Sequence, residues 1–200
     1  YNTAVGKSSL GANTTGVQNV AVGQASLDAN TTGNYNTGLG DNALSANTTA
    51  SSNTAIGQAS LFYNTTGASN TAVGKSALTA NTTGTDNTAI GVNAMLSGTT
   101  ASYNTAVGIN SLYSATTGTG VNTAIGRESM YTNTTGTRNT ALGQSSLLNN
   151  TTASGNTAIG IESLFSNTTG FWNVAVGDKA LYTSTTAANN TAVGQTALFA

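Results

Sequence analysis

Few side chains in this 200-residue sequence are capable of acid–base chemistry. With no His and no Cys, imidazole bases, thiol nucleophiles and thiolate metal sites are excluded. Glu128 and Glu162 occupy the same position of a 17-residue repeat, two copies apart, so their backbones should lie roughly 9.6 Å apart, near the carboxylate spacing of inverting glycosidases. That position is otherwise variable and has Arg127 and Lys179 available as partners, so we expect solvent-facing carboxylates and no enzyme. The full set of candidate acids is Asp28, Asp41, Asp86, Glu128, Glu162 and Asp178.

The glycines, the scattered acids and the Asn-Thr-Thr sequences have structural explanations that require no ligand. The glycines recur at every bend of the repeat, and no G-x-x-x-x-G-K-[ST] phosphate loop occurs. The acids are scattered and form no calcium-binding repeat, so we expect neither a metal nor a cofactor. Asn13, Asn30, Asn81 and Asn133 begin formal N-glycosylation acceptors, which turn formation explains without glycans.

Charge and hydropathy exclude further classes of function. Only 6% of the residues are charged and the formal net charge is −1, so the chain has no basic footprint for nucleic acid or anionic lipid. No stretch approaches the ~18 apolar residues of a membrane span, so no membrane contact is expected within this segment. No signal region opens the chain, so signals and anchors are expected outside it.

The chain is one array of a short repeat. Ten of the eleven spacings between copies are 17 residues and one is 18. The extra residue falls at Gly118, Thr119 and Gly120, in a predicted turn, where an insertion costs little. Residues 1–200 are therefore a single tandem-repeat segment with an incomplete last copy, expected to be a fragment of a longer array. The motif N-[TV]-[AG]-[VIL]-G begins at Asn2, Asn19, Asn36, Asn53, Asn70, Asn87, Asn104, Asn122, Asn139, Asn156, Asn173 and Asn190.

Positions that do not change across the copies must meet a local physical demand. An Asn opens every copy, a Gly follows four residues later, and Thr-Thr lies twelve and thirteen residues after the Asn. Val, Ile or Leu lies three residues after the Asn, and Leu or Met lies eight residues after it. The predicted structural ladders include Asn2, Asn19, Asn104, Val5, Ile56, Gly6, Gly108, Leu10 and Leu112.

A 17-residue period suits one coil of a β-solenoid made of two short strands and two turns. Glycines within the repeat disfavour a helix, while the β-branched residues of N-T-A-V-G favour a strand. Alternation places Thr3 and Val5 on one face and Ala4 on the other. The Gly then permits a bend, and a second strand carries Leu10 inward. The prediction is an all-β parallel β-solenoid, or β-roll, of about 12 coils.

In such a solenoid each position stacks on its equivalents, so like residues form ladders. Asn amides can donate to the next copy and accept from the one before it, as in cross-β stacks. The Val/Ile and Leu/Met ladders are expected to form a thin apolar core. Burial of so thin a core contributes less free energy than the conformational entropy lost when the chain becomes ordered. We therefore expect several chains to share one core, and a homotrimer is favoured.

Aromatic residues concentrate in the later copies. Tyr113, Tyr131, Phe165 and Tyr182 all lie nine residues after the Asn, and Phe171 with Trp172 lies in a neighbouring turn. Stacked along the rod, they could grip sugar rings or the apolar surface of a partner. Burial between chains is the favoured alternative.

The motif resembles that of a known family. The blocks Asn19-Val20-Ala21-Val22-Gly23 and Asn173-Val174-Ala175-Val176-Gly177 resemble the S-V-A-I-G repeats of YadA-like heads in trimeric autotransporter adhesins. The resemblance implies a left-handed, trimeric parallel β-roll on a bacterial outer surface. The longer unit N-T-A-V-G-x-x-A-L-x-x-N-T-T-G is also similar to repeats of phage tail-fibre and bacterial fibre proteins that end in an intramolecular chaperone.

These features favour a non-catalytic structural or adhesive fibre segment, either an adhesin head or a tail-fibre shaft. Its expected location is extracellular, on a bacterial surface appendage or a virion tail fibre, and its expected ligand is a carbohydrate or a host-surface receptor. One alternative is a self-assembling extracellular filament, because open solenoid edges invite further pairing. Another is an ice-binding solenoid, suggested by the Thr-Thr ladder on a weakly charged chain, although adjacent Thr residues in a strand would face opposite ways.

Overall fold

The chain forms a β-solenoid with one short strand in each copy of the repeat. The structure is a computed structural model that describes residues 1–117 and 120–199. These residues contain no helix, and the predicted all-β parallel solenoid with a 17-residue repeat is confirmed. The strands are β1 Thr3–Val5, β2 Val20–Val22, β3 Thr37–Leu39, β4 Thr54–Ile56, β5 Thr71–Val73, β6 Thr88–Ile90, β7 Thr105–Val107, β8 Thr123–Ile125, β9 Thr140–Leu142, β10 Thr157–Ile159, β11 Val174–Val176 and β12 Thr191–Val193.

All twelve strands belong to one parallel sheet whose strand order is the sequence order. The register is constant, so that Ala4 pairs with Ala21 in β2 and each later strand pairs with its equivalent in the next copy. The 18-residue spacing does not shift this register, since Ala106 of β7 still pairs with Ala124 of β8. The insertion predicted at Gly118 and Thr119 lies outside the described residues.

The predicted second strand of each coil is wrong. In every copy the residues six and eight positions after the Asn have a positive φ, as at Ser8 (59°) and Leu10 (50°), so this segment turns and does not extend. Inter-coil hydrogen bonds continue through the turns, from Leu10 N to Ser26 O at 3.0 Å and from Leu27 N to Ala43 O at 3.0 Å. Because the left-handed region is unfavourable for Leu, this regular pairing must hold each coil in shape.

The core contains the Leu/Met ladder and an Ala ladder. Leu27, Leu44 and their equivalents in the internal coils are buried, and so is the central Ala of the internal strands, such as Ala21, with Gly38 in its place in β3. The expected Val/Ile core ladder is wrong, because Val5, Ile90 and their equivalents point outward from the sheet. The predicted alternation within the strand is present, but its Ala face is the inner one. At the central position of the strand, which faces the Leu or Met ladder, the core has space only for a small side chain.

The Asn that opens each copy fastens consecutive coils together. Asn19 Oδ1 accepts from the backbone N–H of Asn36 at 2.9 Å, and Asn19 Nδ2 donates to Gly33 O at 2.8 Å. The bond from the next Asn N–H to Oδ1 is present at each of the eleven steps along the rod. The predicted amide-to-amide bond occurs at only some steps, such as Asn87 Nδ2 to Asn70 Oδ1 at 3.1 Å. This ladder therefore depends mainly on side chain to backbone bonds.

A second Asn column, eleven residues after the first, forms the stacked amides expected of the first. Asn47 Nδ2 donates to Asn30 Oδ1 at 2.8 Å, and Asn64 Nδ2 donates to Asn47 Oδ1 at 2.9 Å. Gly98 and Ala115 interrupt the column, which resumes at Asn133. Among the described residues, Asn81 Oδ1 and Asn167 Oδ1 are buried without a hydrogen-bond partner. These two oxygens end the two runs of stacked amides.

Glycine is required at the bend after each strand. Gly74 has a φ of 131°, and an added Cβ would lie 2.6 Å from the carbonyl oxygen of Gly91 in the next coil. Gly6 and Gly108 have the same backbone conformation, with φ of 130° and 133°. The fixed Gly column thus answers two demands at once, the backbone conformation and the close approach of the next coil.

We expect Gly74→Ala to lower the free energy of unfolding by about 3 kcal/mol or more, because it combines backbone strain with a steric clash. Urea unfolding followed by circular dichroism measures the loss. Lys75→Ala, at the exposed neighbouring position, is the control and should change stability by less than about 0.5 kcal/mol. Equal stability of Gly74→Ala and the control would contradict the steric explanation.

We expect the double variant Gly98→Asn/Ala115→Asn to raise the free energy of unfolding by about 1 kcal/mol, since its amides would join the two runs and give the unpartnered Asn81 Oδ1 a donor. The equivalent amides also donate to the carbonyl three residues later, as Asn81 does to Gly84 O at 3.1 Å. Gly98→Ala is the matched control, because it adds a Cβ without an amide. The same unfolding measurement tests both variants, and an Asn variant no more stable than the Ala variant would refute this account of the ladder.

Candidate functional surfaces

The outer face of the sheet carries an uninterrupted aliphatic stripe. The third residue of every strand points outward, and the side chains of Ile90 and Leu142 remain 39% and 42% exposed. The first residue of each strand lies on the same face and is Thr, or Val in β2 and β11. Neither the first nor the third position is charged in any copy. We call this set the outer stripe: Val5, Val22, Leu39, Ile56, Val73, Ile90, Val107, Ile125, Leu142, Ile159, Val176 and Val193.

The residues of the outer stripe were predicted from the sequence to lie in the core, so the stripe was not predicted as a surface. The available signal was the small residue at the centre of every strand, which is Ala in eleven strands and Gly38 in β3. Val92, Ile109 and Ile161, two residues beyond the stripe, widen the apolar surface in three copies. Apolar patches of this extent on a protein surface mark sites of association.

Five of the six aromatic residues nine positions after the Asn stack on one another, while Phe62 makes an edge contact with Tyr63. The Tyr113 and Tyr131 ring centroids are 4.8 Å apart with an interplanar angle of 18°. Tyr182 lies between Phe165 and Phe199, at 5.0 Å and 5.2 Å. These five are stacked because the coil repeat is close to the stacking distance of aromatic rings. Each stack covers one face of both rings, and Tyr182 has a ring on each side.

Phe171 and Trp172 are at a different corner of the coil, before β11. Their side chains are 47% and 56% exposed, and neither ring joins the stacked column. The six predicted contact residues therefore separate into a self-stacked set and an exposed pair. The exposed pair is the more accessible of the two sets.

The two glutamates considered for catalysis each lie beside a cation. Arg127 Nη2 lies 3.4 Å from Glu128 Oε2, and Lys179 Nζ lies 3.6 Å from Glu162 Oε2. Both glutamate side chains are partly open to solvent. Within residues 1–117 and 120–199, no group of three or more acidic residues could hold a metal ion. This arrangement fits surface ion pairs, which were the sequence-based interpretation.

A cavity of about 330 Å³ lies at the last coil. Leu181, Ser184, Asn190 and Leu198 line it. Leu181 belongs to the core ladder, and the equivalents of Ser184 are the Asn residues of the second column, so the cavity is the interior of the solenoid seen from its end. It has no cluster of titratable side chains and gives no indication of a catalytic site.

We expect Tyr182→Ala to lower the free energy of unfolding by about 1–3 kcal/mol, because it removes two ring stacks at once. Tyr103→Ala is the control, since Tyr103 is exposed and outside the stacked column. Urea unfolding followed by circular dichroism compares the two variants. Similar losses in both would show that the stacking contributes nothing specific.

Comparison with known proteins gives no assignment: no family model, no curated protein and no solved structure matches the chain. The relation to YadA-like heads and tail-fibre repeats therefore remains a prediction from the motif. No helix in the described part of the chain is long and apolar enough to span a membrane.

Proposed function

We propose that this chain is a non-catalytic structural and adhesive segment of an extracellular fibre, in which identical chains associate through the outer stripe. The observation that supports the proposal is the length of that stripe, which runs through all twelve strands without a charged residue. The appendage is a bacterial adhesin head or a tail-fibre shaft, as the motif resemblance implies. The chain's regular hydrogen-bonded ladders suit a rigid spacer.

Burial of the outer stripe supplies the driving force for association. Each half-exposed aliphatic side chain that leaves water contributes roughly 1 kcal/mol, and the stripe has one in every coil. Summed over the rod, this contribution is comparable to the 4–15 kcal/mol estimated cost of lost translational and rotational freedom. The neighbouring Thr positions allow close contact, because a Thr presents a methyl group as well as a hydroxyl.

The geometry of the outer stripe favours a closed assembly of parallel rods. The stripe is on one side of a sheet whose register is constant, so a partner can contact every coil in the same way. Cyclic symmetry uses the same patch on each subunit and leaves no unsatisfied copy of it. Three chains around an axis is our preferred arrangement, on the basis of the resemblance to trimeric adhesin heads and the thin core of each chain.

A second candidate function, ice binding, is favoured by the composition of the same face. Thr88 and Ile90 alternate on the outside of β6, and equivalent pairs repeat in constant register along the sheet. Such a flat, uncharged array of hydroxyl and methyl groups could order water. The Thr-Thr pair that first suggested this function is less suitable, because its first hydroxyl donates to the next coil, as from Thr31 Oγ1 to Thr48 O at 3.0 Å.

A filament that grows end to end is the remaining alternative. Parallel pairing of β1 of one chain with β12 of another would continue the same sheet, whose strands all pair in constant register. A filament of this kind would form along the rod axis and would not require the outer stripe. The two modes of association are therefore separable by substitution.

The double variant Val73→Glu/Ile90→Glu tests the lateral assembly. We expect the unmodified chain to sediment at three times its chain mass and this variant to sediment as a monomer, because it would bury two carboxylates in the interface. Its circular dichroism should be unchanged, since both side chains point outward. Thr83→Glu/Thr100→Glu is the matched control in the same coils and should remain trimeric, because those Thr side chains are exposed outside the sheet.

The same experiment separates the alternatives. A monomeric unmodified chain that shows thermal hysteresis would replace the fibre proposal with ice binding. Polymers that grow with concentration and persist in Val73→Glu/Ile90→Glu would indicate the end-to-end filament. A discrete oligomer that survives this substitution would refute association through the outer stripe.

A further inference from the structure

Trp172 is the single tryptophan of the chain and has an unusual packing partner. A Cβ added at Gly155 would lie 2.6, 2.8 and 2.9 Å from the Cε3, Cζ3 and Cδ2 atoms of the indole. Three nearly equal distances to bonded ring atoms place that point over the face of the ring and not at its edge. One face of the indole therefore covers the backbone of Gly155. Because the side chain is still 56% exposed, the opposite face is open to solvent.

Gly155 is the exception in its column, the position immediately before the Asn of each copy. In all of the other copies the residue at this position has a side chain, including Arg138 and Trp172 on either side. Gly155 has a φ of 73°, close to the 58° of Arg138 and the 56° of Trp172. The backbone at this position thus accepts a side chain elsewhere, and the consequence of Gly here is the space that the indole fills.

The residues on either side of Gly155 and Trp172 in this column can hydrogen-bond. Arg138 precedes Gly155 in the column, Asn189 follows Trp172, and both are exposed. None of the ion pairs within residues 1–117 and 120–199 involves Arg138. Phe171 adds a second, 47% exposed ring beside the indole. The column thus places the Arg138 side chain one coil before Gly155, and the Asn189 side chain one coil after Trp172, next to the aromatic platform that the indole forms.

This combination fits the chemistry of a sugar. A pyranose has an apolar face of C–H groups, which packs on an aromatic ring, and a rim of hydroxyls, which bond Arg and Asn side chains. A protein partner would require a much larger continuous apolar surface, of roughly 800 Å² for each partner. Among Trp172, Phe171, Arg138 and Asn189 only Arg138 is charged, and its guanidinium can donate to the hydroxyl oxygens of a neutral pyranose.

We infer that Trp172, with Phe171, Arg138 and Asn189, binds one pyranose ring of a neutral oligosaccharide. The inference rests on the proposed adhesive function, since it names the class of receptor that the fibre would contact. The stacked rings, such as Tyr113 and Phe165, are not part of the site, because they lie at a different corner of the coil and stack on one another. Pinning of the indole on Gly155 makes the platform rigid before the ligand arrives, which reduces the entropy cost of binding.

Tryptophan fluorescence reports on this site alone, because the chain has one tryptophan. We expect titration of the intact chain with cellotetraose, tetraacetylchitotetraose and β-1,4-galactotetraose to change the Trp172 emission saturably with at least one of the three. Isothermal calorimetry measures the same affinities in variants that lack the indole. If none of the three probes changes the emission or binds by calorimetry, the inference is refuted.

Substitutions then test the geometry. Trp172→Ala should abolish binding, and Arg138→Gln should weaken it about tenfold by removing one charged hydrogen-bond donor. Gly155→Ser, which introduces the residue found in two other copies at Ser52 and Ser69, should displace the indole and weaken binding at least fivefold. Tyr103→Ala is the matched control in the same column and should bind normally. Normal binding by Trp172→Ala would overturn the assignment of the site.

These outcomes are distinguishable from those of the fibre test. A trimer that binds no sugar would refute this inference and leave the lateral assembly intact. A monomer that binds sugar through Trp172 would support the site while refuting association through the outer stripe.

Discussion

At the fixed positions of this solenoid, each residue has to be compatible with a residue of its own kind about 4.8 Å above and below it. Asparagine meets this demand because its amide both donates and accepts, as the column from Asn30 to Asn47 shows. Leucine, alanine and flat aromatic rings meet it by packing. A stacked column of like charges would repel along its length, which explains why only 6% of the residues are charged.

The period alone predicted much of the fold, since a constant spacing of 17 residues requires equivalent residues to stack. It could not predict which face of a three-residue strand is inside, because alternation is symmetrical. Ala21 is inside because the Leu ladder opposite leaves little space, and that is a property of the closed coil. The prediction of a second strand failed for a related reason. A buried Leu27 fits a β pattern, but its backbone has a φ of 52°, which is imposed by the surrounding coils.

The candidate surfaces were predicted less well than the fold. Repetition identifies residues that the architecture needs, whereas binding depends on departures from repetition. Trp172 was noticed from its residue type, but its partner Gly155 becomes meaningful only once its column is known to carry side chains elsewhere. The location of the outer stripe was difficult to predict for the opposite reason. A strictly repeated aliphatic residue has the same sequence pattern whether it faces the core or a second chain.

The second Asn column also gives the rod an internal direction. From Asn13 to Asn81 each Nδ2 donates to the preceding copy, so the side-chain amides point the same way and their dipoles add, as peptide dipoles do in a helix. Gly98 and Ala115 divide this alignment into two separate segments. Each segment therefore has a permanent dipole along a nearly uncharged rod. Its negative end is at an unpaired oxygen, on Asn81 or Asn167.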